Sequence, residues 1–239
     1  MESSVFDGSV LVVGVGGLGA PAASALVRAG AKRLGLIDPD PVELSNLARQ
    51  VIYETADIGH PKVEAAARRL GPGATGIAIY PCALDLHNAT AIVARYDFII
   101  DATDDPAAKF LINDACAAAG RPYVYAGVLG LTGQAMTVIP GVTACLRCLF
   151  EAPPDPAEIA TCREAGIIGP VAGAIGEIQA AEATAWLDGK TPDLAGRILT
   201  YDARDSARIR VTDISPRPGC GCGAATNSDV LPVLAGHNQ

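Results

Sequence analysis

Aromatic residues are scarce in this chain, at 5% with a single tryptophan. A stacking surface for nucleic-acid bases is therefore not expected. Positive charge is also short: 18 Lys and Arg stand against 26 Asp and Glu, a net charge of −8. Binding a phosphate backbone needs a basic footprint, so no nucleic-acid partner is expected. Charged residues of both signs amount to 18%, below the ~25% usual in soluble domains. Half the residues are apolar, which excludes a disordered chain. A basic export signal is lacking too, since Glu2 and Asp7 stand where one needs Lys or Arg. The three histidines are scattered, and none is assigned a chemical role. The 239 residues suffice for one large domain.

Two features are present in excess. Gly8–Val27 carries no charge, long enough to mimic a membrane span. Gly8, Gly14, Gly16, Gly17, Gly19 and Pro21 interrupt it, so no membrane association is expected. Seven cysteines are an odd number without an export signal. That favours a reducing cytoplasm, with thiols used for metal or catalysis.

Short β-branched runs alternate with helix signals. Val10–Val13, Leu34–Ile37, Ile77–Tyr80, Phe98–Ile100 and Tyr123–Ala126 read as strands. Leu18–Ala29, Pro61–Leu70, Ala89–Arg95 and Pro106–Ala119 read as helices, with Gly30 suited to end the first and Pro61 to open the second. Lys62, Arg68 and Arg69 are placed on the wet face of that second helix. The rhythm implies crossover connections, a parallel sheet and helices on both faces. After Gly127 it changes. Gln134–Ile139 has no flanking helix, and Arg197–Asp202 with Arg208–Thr212 reads as a hairpin, so antiparallel strands are expected there. Pro-rich Phe150–Pro170 reads as a loop with a short helical turn, and Val171–Leu187 as a mostly buried helix. No linker divides the chain. Residues 1–223 are expected to form one domain and 224–239 a frayed tail.

Gly14-Val15-Gly16-Gly17-Leu18-Gly19 fits G-x-G-x-x-G between a strand and a helix. Glycines let the backbone turn tightly and approach a phosphate at the positive end of the helix. Asp38 closes the next strand, where an acid accepts hydrogen bonds from ribose hydroxyls. The fold class is thus α/β, a Rossmann-like doubly wound sheet that is mostly parallel. On the loop and Asp38 alone, an NAD(P)-dependent oxidoreductase is one reading.

Further motifs follow in order. They are Asp38-Pro39-Asp40, Ser45-Asn46-Leu47-Ala48-Arg49-Gln50, Gly59-His60-Pro61-Lys62 and Asp101-Ala102-Thr103-Asp104-Asp105. With the glycine loop they resemble the adenylation domain of the MoeB/ThiF family, bacterial relatives of ubiquitin-activating enzymes. The resemblance runs from about Val10 to Cys222, and several motifs in one order are more specific than any one. It departs at Asp105, where the family usually has Asn. It implies ATP-dependent adenylation of the C-terminal glycine of a small ubiquitin-like sulfur carrier protein ending in Gly-Gly. A carboxylate nucleophile is already ionised at neutral pH, so no general base is needed. What the reaction needs is fixed cations against phosphate charge, and Arg49 and Lys62 are the candidates. Asp104 matches the family's acid for Mg²⁺, while Ser45, Asn46 and Asp105 are expected at the nucleotide. Asp101 is read as a strand-end acid that orders the loop.

The cysteines divide by spacing. Cys145 and Cys148 form a C-x-x-C, Cys220 and Cys222 a C-x-C. Four thiolates make a closed tetrahedral Zn²⁺ site. The family has such a site with C-x-x-C as its usual second pair. A redox C-x-x-C and free structural thiols are the alternatives. Cys162 matches the family's Cys-x-x-Ala-Gly segment, whose cysteine can link covalently to the carrier. Cys82 and Cys116 read as inert core thiols. The resemblance also implies a homodimer and a basic N-terminal arm. No basic residue precedes the first strand, so either another residue replaces that contact or activity departs from the family norm. No sulfurtransferase segment is present in this sequence, and sulfur is expected from a separate protein. A non-catalytic scaffold with this fold is the remaining reading.

Overall fold

The computed structural model describes residues 7–71, 76–154, 168–205 and 208–223. The uncharged run divides into strand, turn and helix. β1 (Ser9–Val13) has all five side chains buried, as a β-branched strand covered on both faces must. α1 (Gly19–Arg28) follows the glycine turn, and the chain leaves it through Gly30 at a φ of 98°. Among the described residues no helix is long and apolar enough to cross a membrane.

The alternation continues through β2 (Arg33–Ile37), α2 (Lys62–Leu70), β3 (Gly76–Tyr80), α3 (Ala89–Val93), β4 (Phe98–Asp101), α4 (Pro106–Ala119) and β5 (Tyr123–Leu129). These strands pair in parallel. β6 (Thr132–Val138), β7 (Arg197–Asp202) and β8 (Arg208–Asp213) extend the same sheet antiparallel. α5 (Leu146–Leu149) and α6 (Gly169–Leu187) lie between β6 and β7 in the chain. The sheet order is β3-β2-β1-β4-β5-β6-β7-β8. The chain moves outward from β1 to β3 and then returns to β4 on the other side of β1. That reversal opens a crevice beyond the carboxyl ends of β1 and β4, the place where open α/β sheets bind ligands.

Alternate strand residues face opposite cores. Val10, Val12, Leu36 and Ile100 pack under α1, α2 and α6. Leu11, Val13, Ile99 and Tyr123 pack under α3 and α4. Each fully buried Leu or Ile contributes roughly 1.5–3 kcal/mol. α4 has strong end signals. Asp105 accepts from the N–H groups of Ala107 and Ala108 at 3.1 and 3.2 Å, Pro106 takes the first turn, and Gly120 closes it in the left-handed region.

Several expectations need correction. β5 and β6 are longer than expected because they pair down to a tight hairpin at Leu129 and Thr132. α3 stops at Val93, short of Arg95. α6 buries one face against the sheet and α1, while Glu177 and Ala181 remain exposed, so it is less enclosed than its composition implied. Lys62 is not on the wet face of α2. It is buried, and only Arg68 and Arg69 face outward. Cys82 is not a core thiol either. It follows the outermost strand, β3, and is exposed, whereas Cys116 on α4 is fully buried. Most of the expected Phe150–Pro170 loop, Cys162 with it, and the expected tail lie outside the described residues.

Candidate functional site

The glycine loop spans the crevice. Gly14 turns at a φ of 87°, and a Cβ there would lie 2.8 Å from the Ala102 carbonyl oxygen. At Gly19 a Cβ would lie 1.8 Å from the Gly14 carbonyl oxygen. These two glycines let the turn close on β4 and on itself. Gly16 and Gly17 have ordinary room and line a cavity of about 460 Å³, within the usual size of small-molecule sites.

Asp38 lines this cavity and is buried. One carboxylate oxygen accepts from Val15 N at 2.7 Å and the other from Asp40 N at 2.9 Å. Each oxygen keeps a lone pair for a further donor. Burial raises its pKa, while Lys62 and these two N–H groups oppose the rise. The Lys62 ammonium lies 2.8 Å from Asp40 and 3.8 Å from Asp38. Arg49 also lines the cavity, with its guanidinium on the Ser45 carbonyl at 3.0 Å. Asp104 and Asp105 also line it. The Asp104 carboxylate is exposed and has no partner among the described residues. Asp105 spends one oxygen on each of the two N–H groups of the α4 cap; Asn is also a good cap residue but has a single acceptor oxygen to offer.

Asn46 is buried in the lining, its side-chain oxygen on Glu43 N at 3.1 Å. Ser45 lies outside the lining, and its hydroxyl donates to Glu43. Three contributors carried no sequence signal. The buried Tyr53 hydroxyl donates to the Val15 carbonyl at 2.7 Å, tying the irregular segment to the loop. Cys82 and Leu84 belong to the cavity wall. Gln50 closes the Ser45–Gln50 motif. It is buried in the lining, with its side-chain oxygen unpaired.

A second constellation lies beside the middle of α4, near Asn113 and Asp114. The sulfurs of Cys145, Cys148, Cys220 and Cys222 all fall within 4.8 Å of one another. Cys145 Sγ is 3.9 Å from Cys148 Sγ and 3.7 Å from Cys220 Sγ, and Cys148 Sγ is 3.4 Å from Cys222 Sγ. A tetrahedron with metal–sulfur bonds of ~2.3 Å has edges of ~3.8 Å, so the set fits a closed four-thiolate centre. The shorter C-x-C spacing thus still brings both of its thiols to the cluster. Asn113 of α4 holds the approach by accepting from Leu146 N at 3.0 Å and the Tyr123 hydroxyl at 2.9 Å. Arg147 forks onto Asp114 at 2.8 and 2.7 Å and stacks over Phe110. Burial opposes ionisation of Cys148, yet the N–H of Arg217 and the neighbouring groups bring its pKa down to about 7.

A doubly wound sheet with a glycine loop at its switch point and cations around one cavity defines a nucleotide-binding domain. The particular family follows from comparison. The ThiF family model matches residues 3–222, and the chain belongs to this family. It is 39% identical over 223 residues to the sulfur carrier protein adenylyltransferase of Thermus thermophilus, covering 90% of this chain and 82% of that one. It is 39% identical over 236 residues to the adenylyltransferase and sulfurtransferase MOCS3 of Arabidopsis thaliana. That match covers 96% of this chain but 51% of the relative, so the chain spans about half the length of such relatives. Among solved structures, Escherichia coli MccB with ATP superposes with a TM-score of 0.80 at 20% identity, covering 92% of this chain and 68% of that one. At that identity the likeness is one of fold.

Proposed function

We propose that the chain adenylates the C-terminal glycine of a small ubiquitin-like sulfur carrier protein, using ATP. The observation that carries this reading is the grouping of Arg49, Lys62 and the unpartnered Asp104 around the glycine loop in one cavity. The names of the relatives support it. A carrier carboxylate oxygen attacks the α-phosphorus of ATP. An oxygen–phosphorus bond forms as the bond to the bridging oxygen breaks, and pyrophosphate leaves. Gly16 and Gly17 let the backbone approach the phosphates, Asp38 accepts from the ribose, and Asn46 and Ser45 order the segment that carries Arg49. Arg49 and Lys62 offset the repulsion between the anionic nucleophile and the phosphates. The free carboxylate of Asp104 suits Mg²⁺, a hard cation held by one or two carboxylates and phosphate oxygens. Mg²⁺, when bound, neutralises charge on the departing pyrophosphate.

The reading assigns Zn²⁺ to Cys145, Cys148, Cys220 and Cys222, in a structural role that pins the C-terminal segment against α4. Residues 1–223 act as one adenylation domain. On the resemblance rest the further proposals of a homodimer, a cytoplasmic setting, a sulfurtransferase as the sulfur source and a covalent carrier link at Cys162. The oxidoreductase reading uses only the glycine loop and Asp38, and leaves Arg49, Lys62 and Asp104 without a task. ATP–pyrophosphate exchange with carriers ending in Gly-Gly is the test. Exchange that requires the carrier and disappears in Arg49→Ala supports adenylation. No exchange with any carrier, together with tight NAD binding, refutes it. A zinc content well below one per chain, in protein purified without chelator, refutes the metal assignment. Completed transfer in Cys162→Ala removes the covalent role.

A further inference from the structure

Lys109 is a cation that the fold hides beside the site without exposing it to the cavity. It lies in the first turns of α4 and is buried. Its ammonium lies 3.2 and 3.1 Å from the two oxygens of Asp101 and 2.5 Å from the Ala126 carbonyl, so all three of its protons have acceptors. It also sits over the Tyr125 ring, 5.0 Å from the centroid. Asp101 is the last residue of β4 and is fully buried. The same carboxylate accepts from Thr103 N at 3.1 Å and from the Thr103 hydroxyl at 2.7 Å. Gln179 of α6 donates to the Asp101 carbonyl at 2.7 Å, closing the cluster from the other side of the sheet.

These contacts bracket one short segment. Ala102, Thr103 and Asp104 run from β4 to the Asp105 cap of α4, and all line the cavity. One end is held by Asp101 and the other by the cap. Lys109, one turn into the helix, binds the strand end directly. A neutral side chain there would leave the Asp101 carboxylate inside the protein without a counter-charge, and Thr103 would lose a fixed acceptor. Among the described residues the Asp104 carboxylate has no hydrogen-bond or ion-pair partner, so this bracket is what fixes its backbone.

We propose that the Lys109–Asp101 pair is a positioning device that sets Asp104 toward a divalent cation on the bound nucleotide. Lys109 touches neither nucleotide nor metal and acts through Asp101 and Thr103. The inference rests on the adenylation reading for the purpose of the cation, but its test does not need turnover.

The test titrates Mn²⁺, by electron paramagnetic resonance, into the full chain saturated with α,β-methylene-ATP. Lys109→Met is expected to weaken Mn²⁺ binding about tenfold or more, as a displacement of order 1 Å in a positioned group does, and Lys109→Arg to stay within about threefold of wild type. Asp104→Asn is expected to bind Mn²⁺ equally in the wild-type and Lys109→Met backgrounds, because the pair works through Asp104. In the ligand-free protein, amide exchange at residues 102–104 is expected to quicken about tenfold in Lys109→Met. Full-strength Mn²⁺ binding by folded Lys109→Met, or an equal further loss in the Asp104→Asn background, overturns the proposal. If Lys109→Met does not fold, Thr103→Val replaces it, with Mn²⁺ binding weakened about threefold on the loss of one hydrogen bond. Unchanged binding there overturns it as well. Failure of carrier-dependent exchange would refute adenylation while leaving the Mn²⁺ result to decide the role of the pair.

Discussion

Gly17→Ala and Gly19→Ala make the same chemical change two residues apart in one loop, and their outcomes should differ in sign. At Gly17 the new methyl would meet Ala172 Cβ at 3.6 Å, an ordinary contact. At Gly19 it would sit 1.8 Å from the Gly14 carbonyl oxygen, which belongs to backbone and cannot rotate away. Relief to the 3.0 Å that real Cβ atoms respect requires the α1 start and the turn to part by more than an ångström. Forced repacking of that kind costs ~1–3 kcal/mol, with the upper end expected where the neighbour is backbone. The better helix propensity of Ala returns at most ~1 kcal/mol. A net loss near 2 kcal/mol lowers the melting temperature by ~4–8 °C for a chain of this size. Gly17→Ala, by contrast, is expected to be neutral or to stabilise by ~0.4–1 kcal/mol through the unfolded chain. Because the turn that approaches phosphate is the part that moves, Gly19→Ala should also bind an ATP analogue about a hundredfold more weakly. Thermal unfolding and calorimetric titration of the two variants decide the matter. Equal melting temperatures of the two variants, or wild-type affinity in Gly19→Ala, would refute the packing argument for Gly19.

Lys62→Met should lose stability by ~3–5 kcal/mol, since it leaves the buried Asp38 uncompensated, and should lose nucleotide binding with it. Asp40→Asn, whose side chain is 61% exposed, should shift urea unfolding by less than ~1 kcal/mol. A similar loss in both variants would show that the buried pair is not the important one. Cys82 should react with N-ethylmaleimide in the native protein and be protected by an ATP analogue, while Cys116 stays unmodified. Peptide mapping checks this, and labelling indifferent to nucleotide would place Cys82 outside the site. Glu182 is buried on α6, accepting from the Thr137 hydroxyl at 2.6 Å and Leu194 N at 2.8 Å, and burial raises its pKa above 4.5. A raised folded-state pKa gives stability that is present below about 4.5 and lost as the pH climbs through the folded value. Wild type should therefore gain on Glu182→Gln as the pH falls from neutral to about 5. A stability difference that stays constant with pH, or moves the other way, would contradict it.

Local signals carried far where they were backbone signals. The Pro106–Ala119 helix has the bounds expected of it, and the structure shows why: Asp105, Pro106 and Gly120 act within one turn of its ends. The glycine loop was legible because its demands, a positive φ and a close approach, are met by residue type alone. Lys62 was legible as chemistry but not as placement. Helical spacing put it on the wet side, and only the packing of the preceding segment, through Asp40 and Asp38, encloses it. Cys82 misled for the opposite reason. Its neighbours in β3 are apolar, but β3 is the last strand of the sheet and shields little.

By itself, then, the sequence determined the α/β alternation, the phosphate-type loop and the family, since these depend on residue order and local backbone preference. Tertiary structure alone decided which charges meet. The strand order carries β4 back beside β1 and brings Asp104 into one cavity with Lys62 and Arg49. The turn of α4 onto the end of β4 buries Lys109 against Asp101. The fold also closes the long chain separation between Cys148 and Cys222 to 3.4 Å. The physical reason is common to all three. Desolvation and pairing depend on distance in space, and no periodicity in a sequence measures that distance.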